Sequence, residues 1–445
     1  MSVFAKASAS RSRTLKSVIG GIAIVSASAL VMSGCASSTP EAPEAPESST
    51  APSAVERTPL DMKIGTVLPQ TGSLAFLGPP EEAGVALAVK DINDADLGIT
   101  VDVTYGDSGD TDNKAYETTV PKLLAEKPTA LIGAASSGTS FKFIDSVVDA
   151  GVIQFSPANT SPDFTTYDDK GLYFRTAPSD LLQGEVLGNL IAEDGNQTLG
   201  IIYQNDAYGT GLEKVVTDVF TEAGGEVVAS ESYNDGDASF DAQISAVTAE
   251  KPDAIILITF DQIYTIGPAL HAAGFPSDKL YLVDGNLKQF GTDAVPASGD
   301  APAIDAIPAG TFTGAKGTTP GPVLEDDFKD RLNANWTAEG NEELTDFSYA
   351  AESYDAVILI ALAALAANSV DGVEVAKKLQ EVSGGSGDGT KVTDFATAAQ
   401  DIIDGTVIDY DGASGGIKLD DAGDPTEASI GVFQYDKDNM FTRIN

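Results

Sequence analysis

The chain has 445 residues, enough for two or three domains, and sets 26 Lys and Arg against 67 Asp and Glu for a formal charge of −41. That balance argues against a surface for nucleic acid or anionic lipid, which needs clustered Lys and Arg. An apolar fraction of 42% with 18 Phe and 13 Tyr can build a core, while one His (His271) and one Cys (Cys35) leave little room for metal sites, Cys/His dyads, Ser/His triads or disulfides.

Residues 1–16 are basic and Ser-rich, and residues 17–34 (SVIGGIAIVSASALVMSG) are apolar and small. A positive segment, an apolar segment and small residues before a cut read as a secretory signal. The run is shorter than the about 20 apolar residues that span a bilayer. Met32-Ser33-Gly34-Cys35 resembles a bacterial lipobox with Met in place of the usual Leu, so Cys35 is expected to become the lipidated first residue. Two or more acyl chains there would anchor the protein stably to a membrane. Lys6, Arg11, Arg13 and Lys16 are lost with the signal, leaving 22 bases against 67 acids, a net −45. Residues 36–58 carry Pro40, Pro43, Pro46 and Pro52 among Glu41, Glu44 and Glu47. Such a segment cannot pack a core and reads as an extended, self-repelling tether.

From Lys63 onward strands and helices alternate. The expected elements are a strand at 64–68, a helix at 79–95 opened by Pro79 and Pro80, and a strand at 99–105. Then follow a helix at 113–126, a strand at 129–133, a helix at 139–150 and a strand at 152–155. This order predicts an α/β fold, a parallel sheet with helices on both faces. The order then starts again: helix 181–193, strand 199–203, helix 211–223, strand 226–231, helix 240–250, strand 254–259, helix 263–273, strand 280–283. Ala125–Ile132 (AEKPTALI) and Ala249–Ile256 (AEKPDAII) nearly repeat, each at a helix end feeding a buried strand, which points to two similar lobes. After Pro320 come helices at 323–332, 347–368 and 373–382, a Gly-rich loop at 384–389, and terminal strands within 415–441. Glu352 and Asp355 interrupt the apolar helix at 347–368, which therefore reads as buried rather than membrane-spanning.

The tempting motifs fail. Asp107–Asn113 (DSGDTDN) lacks the Gly and Glu that a helix–loop–helix calcium site requires and reads as a helix-capping loop, and Asp409–Gly412 fails the same test. The glycines at 384–389 have neither dinucleotide nor P-loop spacing. Paired acids carry no information in a chain this acidic. His271, beside Ala272 and Ala273, reads as a surface or groove residue, so no catalytic residue is assigned and no enzyme activity is expected.

Strand ends are more informative, because ligands of parallel α/β sheets sit at the carboxyl ends of strands. Ser136, Ser137 and Thr139 follow one strand, and Ala158, Asn159 and Thr160 another. Their amides and hydroxyls can bind a carboxylate without a basic residue, or simply cap helices. Asp284, after strand 280–283, can take an ammonium group or serve a turn.

On Lys63–Gly72 (KIGTVLPQTG), Leu131–Thr139 (LIGAASSGT), Ile153–Pro162 (IQFSPANTSP), Phe174–Thr176, Tyr208–Gly211 and Val283–Gly285, the chain resembles the solute-binding proteins of branched-chain amino acid ABC transporters over about residues 62–445. The resemblance implies a periplasmic-binding type I fold of two hinged lobes, each a three-layer α/β sandwich. It divides the chain into signal 1–34, lipidated Cys and tether 35–60, first lobe 61–176, second lobe 177–311, first lobe again at 312–410, and second lobe at 411–445. It implies that Ser136, Ser137, Ala158 and Thr160 take an α-carboxylate and Asp284 the α-ammonium. Tyr208 and Phe260 would close over the ligand, and Leu77 would touch its side chain. Leu77 replaces an aromatic and Phe260 often stands as Tyr, so the pocket departs from the pattern. Gly109 and Ala135 fall where some members carry a disulfide. The expected partners are a small amino acid, an ABC permease and a membrane reached through Cys35; no cofactor, metal or nucleic acid is implied, and the chain is expected to be a monomer on the extracytoplasmic face. Urea, a short amide or another small solute is the alternative ligand, and an extracellular sensor the alternative role. The acidity has no place in this site; acid-rich, Lys-poor surfaces keep proteins soluble at high salt.

Overall fold

The computed structural model describes residues 58–293, 306–387 and 389–445. The expectations for the signal, Cys35 and most of the tether lie outside the described residues.

Five strands form the first sheet: β1 (Leu60–Val67), β2 (Ile99–Thr104), β3 (Ala130–Gly133), β4 (Ile153–Ser156) and β5 (Tyr173–Arg175). Their order is β2-β1-β3-β4-β5, all parallel. β6 (Thr198–Gln204), β7 (Glu226–Tyr233), β8 (Ala254–Ile258), β9 (Leu280–Leu282) and β10 (Lys316–Pro320) repeat the pattern in a second sheet. A small sheet of β11 (Thr390–Val392), β12 (Ile408–Gly412) and β13 (Gly415–Gly416) follows. Then β14 (Ile430–Tyr435) and β15 (Phe441–Arg443) join the second sheet antiparallel at the β10 edge, giving β15-β14-β10-β9-β8-β6-β7. The near-repeat in the sequence falls at matching places: Lys127 and Lys251, at φ 54° and 53°, turn the chain from a helix into β3 and β8, each the third strand of its βαβ series.

The first lobe is built around the helix Ala350–Ala367, buried along nearly its whole length. Its alanines let the helices Gly78–Ala95, Gly372–Val382 and Phe395–Ile403 approach closely, and a Cβ on Gly84 would lie 2.2 Å from the Ala350 carbonyl. The apolar length that passes for a membrane span is thus core, as its acids suggested.

Several expectations change. The helix expected at 139–150 is two short ones, Ser137–Ser140 and Ile144–Asp149, because the backbone leaves the helical region at Phe143 (φ −133°), between them; the ring of Phe141 stacks on Phe164 with centroids 4.0 Å apart. β5, β10, β11, β12 and the helix Phe395–Ile403 were not among the expected elements. The lobe boundaries also shift. β10 pairs with β9 and β14, so the chain returns to the first lobe after Pro320 rather than at 312. Ile417 and Leu419 still pack in the first-lobe core, so the last crossing lies between Leu419 and Ile430, not at 411. Strand pairing and apolar burial set these boundaries, and neither is visible locally in short, weakly patterned segments.

The last crossing is stapled. Arg175, wholly buried at the end of β5, donates to Asp424 through Nε at 2.6 Å and Nη2 at 2.9 Å. Its Nη1 reaches the carbonyls of Ser161 at 2.8 Å and Asn159 at 3.2 Å, so one guanidinium ties three chain segments together.

Candidate functional site

The loops after β1, β3 and β4 face the loops after β6, β8 and β9. Between them lies a small, nearly closed cavity lined by Leu74, Leu77, Ala135, Ser136, Ser137, Ala158, Tyr208, Phe260, Asp284, Gly285 and Tyr349. Seven of the eight expected ligand residues, Leu77, Ser136, Ser137, Ala158, Tyr208, Phe260 and Asp284, therefore meet on one wall-to-wall space. Thr160 is the exception: it is buried behind the lining, with its Oγ1 unpartnered.

Asp284 forms one end. Its Oδ1 accepts from Tyr208 Oη at 2.8 Å and Gln183 Nε2 at 3.0 Å, and its Oδ2 from Tyr349 Oη at 2.7 Å. Burial raises the carboxyl above the usual aspartate range, while these three donors favour its ionised form. Three donors are more than a turn needs, and they aim a held carboxylate at an enclosed space. Tyr208 stacks on Phe260 at 5.3 Å between centroids, and Leu74 and Leu77 supply apolar wall.

Ser136 and Ala158 form the opposite end, and here the two readings of the serines both hold in part. Ser136 Oγ accepts from Thr139 N at 3.2 Å and so caps the short helix after it. Ser137 Oγ accepts from Ser161 N at 3.2 Å, and the Ala158 N–H is committed to Ser156 Oγ at 3.2 Å. The N–H groups of Ser136 and Thr160 meet no acceptor among the described residues. The donors open to an anion on the lining are the Ser136 amide and the hydroxyl protons of Ser136 and Ser137, whose oxygens accept from main-chain N–H groups but donate to no protein acceptor among the described residues.

The lobes are closed on each other. Tyr349, at the start of the first-lobe helix Ala350–Ala367, reaches Asp284 of the second lobe. Thr111 Oγ1 donates to Asp235 at 3.1 Å, and Lys288 Nζ stands 3.7 Å from the centroid of Phe76. Gly138 packs so tightly on the second lobe that an added Cβ would lie 2.4 Å from Asp206 Oδ2.

Tyr349, Gln183, Leu74, Ala135 and Gly285 were not among the expected site residues. Ala135 and Gly285 adjoin expected residues, and Leu74 precedes Leu77, so proximity alone could have suggested them. Tyr349 carries no such signal, since it arrives from the far side of the hinge. The loop at 107–113 is satisfied internally: Asp107 accepts from Gln70 N, Thr71 N, Thr71 Oγ1 and Gly109 N, and Asp110 from Ser73, Asp112 and Asn113 N. It pins the β1 loop more than it caps the following helix, whose first residue has no side-chain cap. His271 is half-buried, its Nδ1 3.2 Å from Ser277 Oγ, and has no part in the cavity.

A family model described as periplasmic binding protein matches residues 61–410. The leucine-, isoleucine-, valine-, threonine- and alanine-binding protein of Pseudomonas aeruginosa is 31% identical over 188 residues, 41% of this chain and half of that protein's length. The chemotactic signal transduction system substrate-binding protein BasB of Halobacterium salinarum is 26% identical over 400 residues, covering 85% of this chain and 90% of that protein. Among solved structures, a leucine-binding protein of Thermotoga maritima covers 86% of this chain and 98% of its own at a TM-score of 0.66 and 21% identity. A branched-chain amino acid substrate-binding protein of Streptococcus pneumoniae in complex with isoleucine covers 86% and 99% at 0.63 and 21%. These structures share the two-lobed fold.

Proposed function

The chain belongs to the periplasmic binding protein family, and on that premise we propose that it captures a small α-amino acid, branched-chain or similar, between its lobes and delivers it to an ABC permease. The observation that carries this reading is the pairing of opposite ends across one small apolar space. Asp284, held by Tyr208, Gln183 and Tyr349, takes the α-ammonium; the Ser136 amide with the Ser136 and Ser137 hydroxyls takes the α-carboxylate; Tyr208, Phe260, Leu74 and Leu77 enclose the side chain. A zwitterion leaving water needs both charges matched, and pre-set partners lower the cost of ordering them. The ligand is bound and released without chemistry. A lipid on Cys35 tethers the receptor to the extracytoplasmic face of the membrane, and it works as a monomer.

The match to BasB over 400 residues favours one second reading, a receptor that reports its ligand to a signalling protein. A thermal-shift screen of residues 60–445 tests the first reading against the twenty amino acids, urea, short amides, polyamines and aromatic acids. A ligand at about 100 times its Kd adds roughly 2.7 kcal/mol. Stabilisation by a group of amino acids, absent with their amides and decarboxylated analogues, is the expected result. Stabilisation only by urea or by aromatic acids overturns the amino-acid assignment. Co-purification of the lipidated chain with a permease or with a chemotaxis transducer separates transport from sensing.

A further inference from the structure

We infer that Asp180 is a second carboxyl behind the wall of the cleft, a positioning residue that carries a proton while the site lacks a cation and releases it when an ammonium group docks against Asp284. The inference rests on the proposed amino-acid reading and deepens it.

Asp180 is the first residue of the helix Asp180–Glu193, and its N–H donates to the Thr160 carbonyl at 2.7 Å. One turn on, Gln183 reaches Asp284 Oδ1 with its Nε2 at 3.0 Å. Asp180 is fully buried, and neither of its carboxyl oxygens has a hydrogen-bond partner. Gln183 Oε1 and Thr160 Oγ1, also buried, have none either. Against the two Asp180 oxygens and Gln183 Oε1 the protein offers at most the Thr160 hydroxyl as a donor, and even that makes no well-formed hydrogen bond.

The nearest cation cannot serve. Arg175 spends its guanidinium on Asp424, on the Asn159 and Ser161 carbonyls and on Thr165 Oγ1. The groups facing Asp180 from the surrounding elements are Asp284 after β9, Asp206 before the helix Ala207–Glu222, Arg175 on β5, Thr160 after β4, and the phenols of Tyr208 and Tyr349. Burial first, and then the charge of Asp284, push the Asp180 carboxyl well above the aspartate range, with the Thr160 hydroxyl and Arg175 opposing. Of two interacting acids, the one with more donors keeps the charge. Asp284 has three donors at 2.7 to 3.0 Å and Asp180 at most the poorly placed Thr160 hydroxyl, so Asp180 keeps the proton.

An ammonium arriving at Asp284 is the missing charge. A cation at Asp284 offsets the Asp284 charge that holds the Asp180 carboxyl protonated and so favours the ionised form of Asp180; the proton leaves to solvent while the ligand stays an ammonium. Binding then tightens as pH rises, by up to about tenfold per pH unit where one proton is released.

Calorimetric titration of the full receptor with L-leucine, L-isoleucine and L-valine, in buffer pairs of different ionisation heat from mildly acidic to mildly alkaline pH, reads this directly. The wild-type protein is expected to release up to one proton per ligand and to bind more tightly as pH rises, and Asp180→Asn to bind with no proton release and a flat pH profile. Binding without any buffer-dependent heat in the wild type, or a release that survives in Asp180→Asn, overturns the inference. If none of the three amino acids binds, the ligand assignment is what fails for them. The proton is then read in the ligand-free protein, by an infrared difference spectrum between wild type and Asp180→Asn. A protonated-carboxyl stretch missing from the variant supports the inference, and its absence from both overturns it.

Discussion

Asp284→Asn separates a ligand-binding carboxylate from a structural one. The side chain is nearly isosteric, so packing is kept, but the charge is lost. In the protein as it stands, Asp284 accepts three hydrogen bonds at 2.7 to 3.0 Å from Gln183, Tyr208 and Tyr349. An amide keeps one oxygen to accept from Tyr208 and Gln183, and its NH2 can donate to Tyr349 Oη. A neutral amide also spares the free protein the cost of burying a charge, so its stability is expected to move by no more than about 1 kcal/mol. The ligand fares differently. Its buried ammonium loses a charged partner, a truncation that costs about 2–5 kcal/mol. At about 1.4 kcal/mol per decade this weakens binding roughly 30- to 3,000-fold. Titration calorimetry with the best amino acid from the screen, beside chemical denaturation of the free protein, measures both quantities. Affinity kept within threefold refutes the ammonium assignment. A loss of affinity matched by an equal loss of stability refutes the separation of binding from folding.

Closure itself is tested by Gly138→Ala, whose Cβ would meet Asp206 Oδ2 at 2.4 Å. Asp206 is held by Gly209 N at 2.9 Å and Gln204 Nε2 at 3.0 Å and cannot easily turn away, so small-angle scattering should report a more open protein with weaker ligand binding. Arg175→Met leaves the buried Asp424 charge with only the Thr165 hydroxyl and leaves the Ser161 carbonyl unpaired, and is expected to cost about 3–5 kcal/mol in urea unfolding. Glu352 is buried, and that burial raises its carboxyl to about 8 from an ordinary 4.5. A raised acid stabilises fully below its unfolded value and loses that contribution as pH climbs toward its folded one. Unfolding free energy should therefore fall between about pH 4.5 and 8, and fall less steeply in Glu352→Gln, when followed by urea titration at stepped pH. With a formal net charge of −41, the midpoint of thermal unfolding should rise between low and molar salt, and a flat response removes self-repulsion as a destabilising force.

Much of the site was legible because a parallel α/β sheet puts its ligand at the carboxyl ends of strands. Once β3, β4 and β9 are recognised as apolar runs, Ser136, Ala158 and Asp284 fall at their ends without further information. Which atoms of those residues face a ligand was not legible. Ser136 Oγ turns to its own helix, and Thr160 sinks behind the lining to stand beside Asp180. Capping is a local choice that the sequence allows but does not compel, because the hydroxyl can bond either way.

By itself the sequence determined the two βα series, since hydrophobic period and helix-ending Pro and Gly are local properties, and the paired AEKP turns before β3 and β8 mark the duplication. It also determined that the helix at Ala350–Ala367 is core, because Glu352 and Asp355 inside it are affordable only when paired or neutral within protein. Tertiary structure alone decided where the chain crosses between lobes. The membership of β10 and the staple of Arg175 to Asp424 depend on partners separated by more than a hundred residues. It alone brought Tyr349 to Asp284 and buried the Asp180 carboxyl with no well-formed hydrogen bond. The physical reason is the same in each case: a hydrogen bond or a charge interaction is set by distance in space, and a sequence fixes that distance only for near neighbours along the chain.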